Sequence, residues 1–221
     1  MDLIGLVFAL ALALYGVAAQ QQPNQGINSQ KEYDQRVKQE NEKHGWGEGR
    51  LRTGDPAPDF ALKRLDSDEV VRLSTFAGKK PVALIFGTYT CPIFRGQFRT
   101  INDLAGMYNN KVEFMLVYVR EAHPADGLQV EENLEQGIVL SDPKALEEKK
   151  SHASTCVRDL NIKFTTLVDG MDNRVEQQYT AWPTRLYLIG KDGRVAWKSK
   201  PGPTGFIPAE LALAIEDELD R

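Results

Sequence analysis

From about residue 60 onward, two spacings of apolar positions take turns along the chain. Short runs rich in Val, Ile, Leu, Phe and Tyr predict strands at Val82–Phe86, Val112–Val119, Thr165–Val168, Arg185–Ile189 and Arg194–Trp197. Between them, apolar residues recur at helical intervals and predict helices over Pro92–Tyr108, Pro143–Leu160, Met171–Tyr179 and Pro208–Leu219. The first of these carries its stripe at Phe94, Phe98, Ile101, Leu104, Ala105 and Tyr108. Strands alternating with helices predict an α/β domain whose sheet is at least partly parallel. Lys191-Asp192-Gly193 joins the last two strands as a hairpin turn, so one antiparallel edge is expected. Ahead of the alternation, Ala61-Leu62 and Glu69–Leu73 flank the polar Asp66-Ser67-Asp68 and predict an N-terminal β-hairpin, after which Ser74 caps a short turn.

The first predicted strand runs into chemistry. Ala83-Leu84-Ile85-Phe86 is followed by Gly87, two threonines (Thr88 and Thr90) and then Cys91-Pro92. Proline is favoured at the first helical position, which puts Cys91 at the N-cap of the following helix. A thiol there meets unpaired backbone N–H groups and the positive end of the helix dipole, both of which favour thiolate. The pattern predicts a reactive nucleophile with a lowered pKa. The bland alternative is a buried structural cysteine, because free Cys is among the most buried residue types.

The N-terminal segment has a different character. Leu3 to Ala19 is an uncharged apolar run ending in small residues, and no Lys or Arg precedes it. Residues 1–19 read as a signal peptide or a membrane anchor, hence export or membrane attachment, with the side of the membrane left open. Residues 20–52 read as a polar and charged linker, with a solvated helix over Lys31–His44 broken at Gly45-Trp46-Gly47. The folded domain is then 53–221, one domain with appendages in a chain of 221 residues.

Composition narrows the function by exclusion. Net charge is −4 without a basic stripe, which argues against a nucleic-acid partner. His44, His123, His152 and the two cysteines stand singly, without metal-ligand spacing, so no metal site is expected. Cys156, on the second long predicted helix, is a candidate resolving partner for Cys91 or an inert packing residue.

Gly54–Phe60, the strand leading into Thr88-x-x-Cys91-Pro92, and Trp182-Pro183-Thr184 before a late hairpin resemble the thioredoxin superfamily in its peroxiredoxin-like branch. Within it, the chain most resembles the iodothyronine deiodinases. Phe86-Gly87 with Thr90-Cys91-Pro92 and Phe94 matches that family's active-site segment, with cysteine where animal members carry selenocysteine. Glu121-Ala122-His123-Pro124-Ala125-Asp126-Gly127 matches a second block, and Arg185-Leu186-Tyr187 and Gly202–Phe206 match further ones. Three departures stand out: Tyr89 where animal members often carry a cysteine, no histidine around Leu140–Lys144, and Leu128 in place of an expected tryptophan.

The resemblance implies a thioredoxin-like fold, a mixed central sheet flanked by helices with the N-terminal hairpin as an extension. It implies a thiol-dependent oxidoreductase that removes iodine reductively from a phenolic substrate. Cys91 is then the nucleophile and His123 a proton relay or substrate contact, while Thr88, Thr90, Glu121, Pro183 (in a cis bond) and Arg185 approach substrate or thiolate. No bound cofactor is implied. An external thiol, thioredoxin- or glutathione-like, is the reductant, and membrane attachment and a homodimer are left open. The runner-up readings are a peroxiredoxin-like peroxidase acting on peroxide, a general thiol-disulfide redox protein, and a non-enzymatic module of the same fold. Leu84, where peroxiredoxins carry proline, counts against the peroxidase.

Overall fold

The computed structural model describes Gln35, Lys38 and the continuous stretch Gly47–Arg221. The leader and most of the predicted linker lie outside the described residues. Among the described residues no helix is long and apolar enough to cross a membrane.

A two-stranded antiparallel hairpin, β1 (Ala61–Lys63) and β2 (Val70–Arg72), precedes the main sheet. The sheet is built from β3 (Val82–Gly87), β4 (Glu113–Tyr118), β5 (Thr165–Val168), β6 (Arg185–Ile189) and β7 (Val195–Lys198) in the order β5-β4-β3-β6-β7. β3, β4 and β5 run parallel, while β6 is antiparallel to β3 and β7 to β6. The helices are α1 (Pro92–Met107), α2 (Glu131–Glu135), α3 (Leu146–Asp159), α4 (Arg174–Tyr179) and α5 (Pro208–Leu219). The fold is thioredoxin-like: a mixed sheet between helical layers, with a hairpin added in front.

β3 lies at the centre, and every one of its six residues is buried. The strand period of two sends its side chains to two cores. Ala83 and Ile85 join Cys91, Phe94, Phe98, Ile101, Leu186 and Leu188 on one side. Val82, Leu84 and Phe86 join Phe60, Tyr179, Tyr187 and Ile189 on the other. The stripe predicted for α1 is the face it buries. Gly87 ends β3 because α1 packs there too closely for a side chain: a Cβ would come within 2.2 Å of the Phe94 ring.

Strand ends follow the sequence pattern to within one residue, and α1 and α5 start where it predicts, at Pro92 and Pro208, while two other helices start later. α3 begins at Leu146 rather than Pro143, and α4 at Arg174 rather than Met171, after Asn173 with φ 51°. In both places the acidic or polar lead-in makes turns and side-chain bonds before the helical ladder begins. One short helix, α2, went unpredicted because Glu131–Glu135 carries no apolar period.

Arg185 corrects an expectation. The strand alternation puts it on the Tyr187 face, opposite the core that holds Cys91. Its guanidinium is 1% exposed and donates to the carbonyls of Gly47, Glu48, Thr180 and Ser199. It ties Gly47 and Glu48, ahead of the predicted start at Thr53, onto the sheet. Replacing Arg185 with Leu strands these carbonyls in a buried site, which should cost roughly 2–5 kcal/mol in urea unfolding. Unchanged stability with a raised KM would instead restore Arg185 to the substrate site.

Candidate active site

Cys91 stands where the pattern puts it. Cys91 is the N-cap of α1, with Pro92 opening the helix. Burial then changes its chemistry. Cys91 is 1% exposed, and burial pushes its thiol up to about 11, against the downward pull of the Phe94 and Ile93 N–H groups and of Arg95. The helix mouth alone predicts a lowered value. Loss of water around the anion outweighs it here.

The loop Thr88–Cys91 is held from below by one carboxylate. The Glu121 side chain is fully buried. Its Oε2 accepts from the Thr90 hydroxyl at 2.6 Å and more weakly from the Thr90 N–H at 3.3 Å. Its Oε1 accepts from the Tyr118 hydroxyl and lies 3.3 Å from His152 Nδ1. The Thr90 hydroxyl accepts in turn from the N–H groups of Ala122 and His123, both at 3.1 Å. Thr88 accepts from Ala122 N–H at 3.2 Å, and Tyr118 from Tyr89 N–H at 3.2 Å. Two loops, one leaving β3 and one leaving β4, are thereby laced together. Thr88, Thr90 and Glu121, expected at substrate, use their side-chain polar atoms in this lacing of the Cys91 loop.

His123 sits on the loop after β4, partly buried, with Nδ1 2.8 Å from the Leu128 carbonyl. A carbonyl only accepts, so Nδ1 carries the proton and Nε2 the lone pair. Burial pushes its pKa below the usual imidazole value. The ring is therefore neutral near pH 7. Trp182-Pro183 is cis, as the resemblance implies, and Trp182 shares the Cys91 core and donates through Nε1 to the Glu121 carbonyl at 3.4 Å. Gly202-Pro203 is also cis.

Cys156 lies in the same core as Cys91, and both thiols are free. Burial pushes Cys156 well above the ordinary thiol value. Other polar residues complete the surroundings. Asn133 of α2 donates to the Thr90 carbonyl at 2.9 Å, and Arg95 donates to the Tyr89 carbonyl at 2.6 Å. His152, on α3, brings Nδ1 to 3.3 Å from the Glu121 carboxylate. No sequence period signals these contacts, since each crosses between elements. A groove of about 350 Å³ runs beside Pro92, between Tyr89, Arg95 and Gln136. A larger cavity, about 670 Å³, opens near Asn102 and Phe164, at the other end of α1 from Cys91.

The family model described as iodothyronine deiodinase matches residues 39–218. The chain belongs to the iodothyronine deiodinase family. It is 33% identical to a thyroxine 5-deiodinase of Gallus gallus over 76% of this chain and 64% of that protein. A type I iodothyronine deiodinase of Xenopus laevis is 29% identical over 63% of this chain and 53% of that protein. The chain thus spans less than two thirds of the length of these deiodinases. In fold it is similar to a secreted disulfide oxidoreductase of Mycobacterium tuberculosis, with a TM-score of 0.52 and 18% identity over 72% of this chain and 95% of that one.

Thiols whose pKa is raised on folding stabilise the folded state below the unfolded thiol value, and that stability is lost as pH climbs through the folded value. Both Cys91 and Cys156 shift upward. The urea midpoint should therefore fall from about pH 8.5 upward. A Cys91→Ser, Cys156→Ala double variant should show a flatter profile over that range. An identical slope in both proteins would show that the thiols are not desolvated.

Proposed function

We propose that this deiodinase-family protein is a thiol-dependent oxidoreductase that removes iodine reductively from a halogenated phenol, with Cys91 as nucleophile. The observation that carries this reading is the pairing of a cysteine at the α1 mouth with a neutral histidine on the facing loop, both held through Thr90. The thiolate takes the iodine: the C–I bond breaks, an S–I bond forms, and the ring carbon left with the electron pair gains a proton. Two equivalents of external thiol then reduce the sulfenyl iodide, giving disulfide, iodide and the free Cys91 thiol.

The residues divide this work. His123 supplies or relays the proton through its imidazole, which in the neutral state can hydrogen-bond a phenolic hydroxyl. Glu121, Thr88 and Thr90 are positioning residues for the loop that carries Cys91. Pro183, in the cis bond beside Trp182, shapes the facing wall. Cys156 in the same core supports a role as internal resolving thiol. The buried thiol of Cys91 must be uncovered before it reacts, and α2 is bonded to its loop through Asn133 and Thr90. Opening restores water to the sulfur, lowers its pKa and admits substrate together.

Export or membrane attachment is part of the same reading, supported by the apolar run Leu3–Ala19. So is a small or protein thiol as reductant, and no bound cofactor enters the chemistry.

Iodide release from a diiodophenol with dithiothreitol should be abolished by Cys91→Ser. His123→Ala should slow it by about 10²–10⁴ with the melting temperature nearly unchanged. Peroxide consumption, measured in parallel, should stay low. Fast peroxide turnover without iodide release would assign the site to the peroxidase reading instead.

A further inference from the structure

A buried pair of charges lies against the Trp182-Pro183 loop, and the reaction as described does not call on it. Arg120 comes two residues after β4, directly before Glu121, and its side chain is 17% exposed. Its partner is Glu176 of α4, whose side chain is 4% exposed. The Arg120 Nε–H is shared between the two Glu176 oxygens, each at 3.2 Å. The guanidinium also stands over the Trp182 ring, its carbon 5.0 Å from the centroid. Trp182 Nε1 donates back to the Glu121 carbonyl at 3.4 Å.

This loop sits beside the end of β3. Phe86 pairs with Arg185 across the sheet, and the Thr184 hydroxyl donates to the Phe86 carbonyl at 2.7 Å. The Cys91 loop leaves β3 from that end, and Trp182 packs in the same core as Cys91. On its other flank the loop hangs from α4, where the Ala181 N–H donates to the Glu176 carbonyl at 2.9 Å. Glu176 is fixed in turn, its N–H donating to the buried Asp169 carboxylate at 2.8 Å. One residue therefore holds the loop twice, through its own carbonyl and, by way of Arg120, through the indole.

Stability alone does not account for an ion pair in this place. Two apolar side chains of similar volume commonly serve a core as well or better, because they carry no desolvation cost. What they lack is a directed hold on an aromatic face. A guanidinium supplies one, since its charge is attracted to the face of the indole while the carboxylate fixes its donors. Building on the deiodination reading, we propose that Arg120 is a positioning residue: gripped by Glu176, it sets the Trp182-Pro183 wall against the Cys91 loop. The wall then bounds the space in which the halogenated ring meets the sulfur.

Two variants of the full chain separate position from stability. Arg120→Met removes the charge and keeps the bulk, and Arg120→Met combined with Glu176→Met replaces the pair by two apolar side chains. The single variant leaves the Glu176 carboxylate buried and uncompensated, so its urea midpoint should fall, and the double variant should recover most of the loss. In both, kcat for iodide release from a diiodophenol should drop about ten- to a hundred-fold, with KM changed by less than about two-fold. Arg120→Lys, which keeps a cation, should retain part of the rate. Two further readouts need no turnover. Alkylation of Cys91 by iodoacetamide, located by peptide mass spectrometry, should quicken several-fold in the double variant. Trp182 emission, isolated by Trp46→Phe and Trp197→Phe, should shift in both Met variants and move back toward the wild type in Arg120→Lys. Should the double variant stay destabilised, rates at a temperature where every variant is folded decide. A double variant with wild-type stability, turnover and Cys91 alkylation makes the pair structural and overturns the proposal, as does Trp182 emission indifferent to Arg120. Absence of iodide release in the wild type contradicts the deiodination reading alone, and alkylation and emission then decide the role of Arg120.

Discussion

The Glu121 carboxylate, with no exposed side-chain surface, is bound by Thr90 and Tyr118 and approached by His152, and the site is arranged around it. A buried carboxylate is tolerated only when its oxygens are satisfied, so the groups around it are held to fixed places. Thr90 is the residue before Cys91 and Glu121 lies two before His123. One carboxylate thus fixes the separation between the thiol and the imidazole. The same bonds brace the junction of two parallel strands, β3 and β4, at the ends from which the site's loops emerge.

A second constraint works against the first impression of the site. A helix mouth favours thiolate, but water is excluded from Cys91, and exclusion wins in this closed state. A protonated, covered thiol is protected against oxidation and idle alkylation. In the proposed reaction the thiol reacts only once it is uncovered. α2 is bonded to the Cys91 loop through Asn133 and Thr90, and Gln136, just after it, to Arg95.

Much of the fold was legible because its signals are local. The period-two runs give β3 to β7, the Phe94–Ala105 stripe gives the buried face of α1, and Cys91-Pro92 gives its N-terminus. The family blocks added the cis Trp182-Pro183 bond, which spacing does not encode. Other features escaped because they depend on what lies across the fold. Arg185 reads as a strand-end cation near the site, yet its strand parity turns it to the opposite core. Glu121 reads as a loop carboxylate available to substrate, and only the packing of β4 against α3 shows it sealed. α2 and Gln136 carry no period at all, and their contacts with the Thr90 carbonyl and with Arg95 cross between elements. The helix-mouth argument for Cys91 was sound in sign and incomplete in magnitude, because desolvation is a property of the whole packed site.

The central claim is that Cys91 itself takes the halogen. The direct measurement incubates reduced protein with excess diiodophenol and no thiol, traps sulfenyl species with dimedone, and locates the adduct by peptide mass spectrometry. The account predicts a substrate-dependent adduct on Cys91 in step with deiodinated phenol, with none formed when the phenol carries no halogen. Deiodinated product accumulating while Cys91 stays unmodified, or an adduct that forms only on Cys156, would contradict it.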